Sequence, residues 1–396
     1  MERLDILKRE VTDELCGNIL PFWAERMRDD VGGGFYGRMT GEGKLITNAP
    51  KGAVMYGRIL WTFSAAYRMF GDTDYLNVAV RAKNYLLDHF YDPEFGGVYW
   101  ELDAAGRPVD TKKQFYALGF AIYGLSEYHR ATGDTQALQY AIQLFESIEE
   151  HSFDPLHNGY IEAATREWSE IGDVRLSDKD KNERKTMNPH LHILEPYTNL
   201  YRVWKDDRLR KQLRNLIGIF AERIYSPRTG HLALFFDDRW NEKSIGACSY
   251  GHDIEASWLL LEAAMELGDD ALLETIKPVC ERIADAGMQG YRPDGSMLYE
   301  THSDGRLDAD RHWWVQAETV VGLFWLWKFH GREEALAQAV GTWNYIRNHL
   351  IDRENGEWFW SIRSDGSINR NDDKAGFWKC PYHNGRMCME LISLLK

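Results

Sequence analysis

Cysteine is scarce and scattered: Cys16, Cys248, Cys280, Cys380 and Cys388 are the only five in 396 residues, and no two form a C-x-x-C pair. An odd, dispersed set argues against a disulfide framework, leaves structural zinc without thiolates, and fits reduced thiols. Long apolar runs are also missing. The longest, VVGLFWLW at 320–327, is far too short to cross a bilayer, and the opening MERLDILKREVTDELCGNIL interleaves charged with apolar positions. A soluble cytoplasmic protein without a membrane partner is expected. Positive charge is in deficit as well, with 47 Lys and Arg against 61 Asp and Glu, a net charge of -14 and no basic block or stripe. Nothing here could neutralise a phosphate backbone, so nucleic acid is not expected as a partner.

What the chain does have is apolar and aromatic bulk: 44% hydrophobic residues, with 15 Trp and 20 Tyr. That suffices for a large core, and aromatic faces also stack on sugar rings. A second feature is periodicity. A Gly turn followed by an aromatic extended stretch recurs as GGGFYGRMTGEGK, EFGGVYWELDAAGRP, LHNGYIEAATREW, RTGHLALFFDDRW, RPDGSMLYETHSDGR and ENGEWFWSIRSDGS. With Gly34, Gly97, Gly159, Gly230, Gly295 and Gly356 as markers, six units of nearly equal length fill the chain.

Between markers the spacing is helical. MYGRILWTFSAAYRMF and TDYLNVAVRAKNYLLDHF carry apolar residues at i, i+3, i+4 and i+7, and the breaks MFGDTDYL, ATGDTQAL, ELGDDALL and FHGREEAL each put Gly at a helix end before a polar opening. Each unit therefore predicts two helices and a short hairpin excursion. Six such units form an open solenoid or a closed ring; the apolar last unit, FWKCPYHNGRMCMELISLLK, lacks the polar face of a solenoid cap and favours closure. The expected fold is an all-α (α/α)6 barrel, one catalytic domain over residues 1–396, monomeric, with inner helices lining a central cavity.

In such a toroid, functional side chains should recur near the start of one helix per unit. Arg58, Tyr116, His192, His252, Trp314 with Glu318, and His383 occupy those places, each interrupting an apolar helix. Singly, each has a plain packing explanation; together they predict a shared cavity. The pair in NPHLHILEPYTNLYRVW tests this. At 100° per residue His190 and His192 face opposite sides of a helix, so they cannot ligate one metal ion, and no metal is expected. His192 shares a polar stripe with Asn188, Glu195 and Asn199, whereas His190 aligns with Leu194, Tyr197 and Tyr201 and is assigned to packing. Glu255, one turn beyond His252, could orient that imidazole and raise its basicity; Arg386 follows His383 by one turn. Histidine suits proton transfer in either direction near neutrality.

NPHLHILEPYTNLYRVW, SYGHDIEASWLL, HWWVQAE and FWKCPYHNGRMCME, with Arg58 in MYGRILWTFS, closely resemble the N-acylglucosamine 2-epimerase superfamily and, within it, the members acting on cellobiose. The likeness covers essentially the whole chain. It implies an (α/α)6 barrel and reversible C2 epimerisation of a reducing-end sugar without an added cofactor. His252 and His383 match the family's general base and acid, and His192 its third cavity histidine. Arg58 matches the arginine near the ring oxygens; Asn188, Tyr116, Glu255 and Trp378 match other cavity contacts. Charge developing on O1 needs donors, expected from Arg58 and His192. The substrate implied is a β-1,4-linked disaccharide whose second sugar could stack on Trp313, Trp314 or Trp378, although monosaccharide-specific relatives would carry the same histidines. A glycoside hydrolase would instead need two facing carboxylates, for which Glu255 and Glu318 are the candidates, and a sugar-binding toroid would need no proton transfer. The insert at 165–187 has no assigned conformation.

Overall fold

The computed structural model of the protein describes residues 2–395, whose regular structure is mostly helical. Five hairpins follow the chain: α2 (Ala53–Phe70) with α3 (Thr73–Tyr85), α4 (Phe115–Thr132) with α5 (Thr135–His151), α6 (Met187–Val203) with α7 (Asp207–Ile219), α8 (Tyr250–Leu267) with α9 (Asp270–Gly287), and α10 (Trp313–His330) with α11 (Glu333–Tyr345). The sixth is built from both ends of the chain, α12 (Tyr382–Leu394) packing on α1 (Glu2–Glu14). The first member of each hairpin touches its neighbours in order, α2, α4, α6, α8, α10 and α12, and α12 returns to α2. The ring is therefore closed, as the apolar last unit leads one to expect. Among the described residues, no helix is long and apolar enough to cross a membrane.

The hairpin turns follow from their residues. Gly71, Gly133, Gly268 and Gly331 end inner helices with φ of 64 to 77°, a conformation that costs glycine little. The next residues Asp72, Asp134 and Asp269 accept bonds from the first backbone N–H groups of the following helix. The outer helices α1, α3, α7 and α11 continue into single π-helical turns at their ends, which the sequence spacing does not foretell.

Short strands tie the excursions together at one end of the ring. The two residues before each of five inner helices pair with the next unit's excursion, as in Lys113–Gln114 with Ala163–Ala164, and a Met39–Ala375 bridge closes the sixth gap. Four excursion turns also hold a buried lysine: Lys51 on Asp29 at 2.9 Å, Lys113 on Asp92 at 2.9 Å, Lys185 on Asp154 at 2.7 Å and Lys374 on Asp352 at 2.6 Å. The insert is laid against this collar. Gln114 Nε2 donates to the carbonyls of Val174 and Arg175 at 3.0 and 2.9 Å, and Trp168 stacks on His151 at 4.2 Å.

Candidate active site

The residues predicted to share a cavity do converge at the collar end of the inner helices. Their level is set by helix position: Arg58, Phe120, His192, Glu255 and Glu318 are each the sixth residue of their helix, and Arg386 is the fifth of α12. Above this layer lie Tyr116, Asn188, His252, Trp314 and His383, within the first three residues of theirs. Close helix approach fixes the layers. At Gly119 an added Cβ would lie 2.4 Å from the His192 carbonyl oxygen, so α4 rests directly on α6 beside His192.

Contacts run round the ring. Arg58 donates to the Tyr116 hydroxyl at 2.8 Å and to the Trp378 carbonyl at 3.0 Å, and its guanidinium lies over the Phe120 and Tyr382 rings at 4.2 and 4.6 Å. Among the described residues no carboxylate pairs with it, and its Nε is buried without a partner. Tyr116 meets His192 at 5.0 Å and Trp378 at 5.9 Å; Trp314 lies 4.7 Å from His252 and 5.6 Å from His383. Asn188 presents a buried Oδ1 with no bond.

The three imidazoles are held differently. His192 Nδ1 lies 3.0 Å from Glu195 Oε2 and His383 Nδ1 lies 2.7 Å from Glu318 Oε1, so both rings donate from Nδ1 and keep a lone pair at Nε2. His252 Nδ1 instead lies 2.8 Å from the Ser249 hydroxyl, which can donate or accept and so permits either tautomer. Enclosure pushes all three imidazoles below their ordinary value; nearby His192 adds to this for His252, and Arg58 and Arg386 add to it for His383. Each is a neutral base near pH 7. Burial alone would raise Glu195, but Arg386, His192 and Tyr382 hold it down to about 2.

Several expectations need correction. Glu255 does not orient His252: the helical spacing puts it one turn along, but its Oε1 turns to Arg386 Nη2 at 2.7 Å. Glu255 and Glu318, expected as sugar contacts, are both 0% exposed and lie behind the histidines. Trp313, expected as a stacking platform, is packed against Trp360 at 4.5 Å, leaving Trp314 and the half-buried Trp378 as the more exposed rings. His192, expected as a donor to O1, directs its Nδ1 proton to Glu195 and keeps only a lone pair at Nε2 while it is neutral. His190 is satisfied within the core, as expected, accepting from the Tyr160 N–H at 2.9 Å and facing the Thr186 carbonyl at 2.6 Å.

The hub of the layer is Arg386, which donates to Glu195, Glu255 and Glu318. It and Glu195 were visible in the sequence only as charges one turn from a histidine. Glu255, Glu318 and His383 offer atoms within 4.8 Å of one another, a spacing that could hold a metal ion, but Arg386 Nη2 already bridges the two carboxylates. Asp308, Asp310 and His312 make a second such group at the collar.

The profile of the N-acylglucosamine 2-epimerase family matches residues 34–385. The cellobiose 2-epimerase of Bacteroides fragilis is 62% identical over 389 residues, 98% of this chain and 99% of that one. That of Ruminococcus albus is 39% identical over 386 residues, 97% of this chain and 98% of its own. The solved cellobiose 2-epimerase of Bacillus thermoamylovorans superposes with a TM-score of 0.94 at 39% identity, covering 98% of this chain and 99% of that one.

Proposed function

The chain belongs to the N-acylglucosamine 2-epimerase family, and on that premise we propose that it reversibly epimerises C2 of the reducing-end glucose of β-1,4-linked disaccharides, converting cellobiose to 4-O-β-D-glucosyl-D-mannose. One observation carries the reading: the neutral imidazoles of His192 and His383 lie near the Arg58 guanidinium, to which, among the described residues, no carboxylate is bonded. Deprotonation beside a carbonyl needs both, a base free at working pH and a positive donor where the oxyanion forms.

The chemistry follows from the partners. Ring opening moves the O1 proton away, returns a proton to O5 and exposes the C1 aldehyde; His192 Nε2, a lone pair backed by ionised Glu195, suits the first transfer. His383 or His252 then takes the proton from C2, and the electron pair passes through C1 to O1, giving an enediolate beside Arg58. A proton returns to the opposite face of C2 from that same histidine after rotation about C2–C3, or from the second histidine once the abstracted proton has passed to it. Substrate and product are isomers, so no redox partner or added cofactor is consumed. Trp314 and Trp378 supply the stacking faces for the second sugar.

The hydrolase alternative fits poorly. Its two carboxyls would flank the scissile bond across an open gap, whereas Glu255 and Glu318 accept from one guanidinium nitrogen and expose nothing. Proton NMR of cellobiose incubated in heavy water tests the proposal. The expected product is glucosyl-mannose carrying deuterium at C2. Free glucose as product, or no exchange at C2, would overturn it, and turnover confined to glucose or N-acetylglucosamine would reassign the substrate.

A further inference from the structure

Behind the histidines, the charges do not balance. Among the described residues, Arg386 is the one guanidinium bonded to Glu195, Glu255 and Glu318, and none of these three side chains is more than 1% exposed. Counting Arg58 as the other fixed charge of the layer, two positive groups face three carboxyls while the imidazoles are neutral. An uncompensated anion in so enclosed a place is costly, which favours one carboxyl keeping its proton.

The donors decide which one. Glu195 receives Arg386, the Tyr382 hydroxyl at 2.5 Å and His192 Nδ1 at 3.0 Å. Glu318 receives Arg386 at 2.6 Å, His383 Nδ1 at 2.7 Å and Trp258 Nε1 at 3.1 Å. Among the described residues, Glu255 receives Arg386 alone, and its Oε2 is buried without a hydrogen-bond partner. We infer that Glu255 is the neutral acid of the resting protein, a positioning residue whose retained proton leaves Glu318 the anion that orients His383.

Glu255, Glu318 and His383 Nδ1 present atoms within 4.8 Å of one another, too close for both acids to ionise cheaply. Burial first, and then Glu318, push Glu255 well above the usual carboxylate range. Burial raises Glu318 too, but Arg386 and the Trp258 N–H oppose it. The charged and titratable groups facing Glu255 are Arg386, Tyr382 and His383 on α12, Glu318 on α10, Glu195 on α6 and Tyr116 on α4.

This has a kinetic consequence that rests on the epimerase reading. While Glu255 is protonated, the layer is neutral and tolerates the enediolate's negative charge. Losing that proton at alkaline pH puts an extra anion beside the developing oxyanion, and turnover falls. Glu255 thus sets the alkaline limb.

Glu255→Gln substitutes a neutral amide for a neutral acid of the same shape. With cellobiose as substrate, its kcat should fall less than about tenfold and its alkaline limb should disappear, whereas Glu318→Gln, which removes an anion, should cost about a hundredfold or more. The infrared spectrum of the wild type minus that of Glu255→Gln at neutral pH should contain the carbonyl stretch of a protonated carboxyl. Absence of that band overturns the inference, as does a Glu255→Gln loss matching that of Glu318→Gln with circular dichroism unchanged. Should Glu255→Gln fail to fold, Glu255→Met, neutral and of similar length, replaces it in the subtraction. The infrared result reads the proton without reference to turnover, so it separates this inference from the epimerase assignment.

Discussion

What an imidazole can do depends on the partner of its other nitrogen. His383 and His192 are fixed by carboxylates, and His252 by a hydroxyl. With His252 and His383 as base and acid, His252→Ala and His383→Asn should each slow deuterium entry at C2 by about 100-fold to 10,000-fold while leaving circular dichroism unchanged. Undiminished exchange in either would remove that residue from the mechanism. In the proposed mechanism neutral imidazole is the active form, and enclosure lowers all three rings, so activity should be kept as pH falls through about 6.5, the ordinary histidine value, and be lost only below it. A limb in kcat/KM at or above that value would contradict this. At this scale the sequence was half legible. Helical angles separated His192 from His190 because both are on one helix, but the partners of Glu255 and Glu318 lie across the ring, and spacing within a helix carries no information about them.

Helices and their turns were the most legible part, since Gly followed by Asp encodes both a left-handed stop and an N-cap in adjacent residues. The π turns escaped because they shift backbone bonds without altering the apolar pattern. Helix contact is another matter of single residues. Gly119 lets α4 touch the His192 carbonyl, so Gly119→Ala should destabilise the protein by about 1–3 kcal/mol in denaturant unfolding and slow C2 exchange by displacing His192. Wild-type stability in that variant would mean that α6 yields at no cost.

For the molecule as a whole, the apolar last unit foretells ring closure but not its fastenings. Lys51, Lys113, Lys185 and Lys374 read as ordinary surface charge until their aspartates are placed beneath them. In the fourth turn the corresponding residue is Ser226, and Cys248 stands where the lysine would be, so acid and base are absent together and no lone charge is buried. Lys374→Met should therefore cost about 3–5 kcal/mol by stranding Asp352, and Asp352→Asn in the same chain should restore most of it. An unchanged unfolding midpoint in the single variant would show the pair to be dispensable.

Because the last hairpin joins α1 to α12, the layer of candidate site residues spans the seam: Arg58 reaches the Trp378 carbonyl across 320 residues of chain. Such contacts carry the greatest loop-closure entropy and form late. In refolding experiments, helical ellipticity should recover first and C2 exchange should lag behind it. Enzymatic activity would then time the moment at which the two ends of the chain find each other.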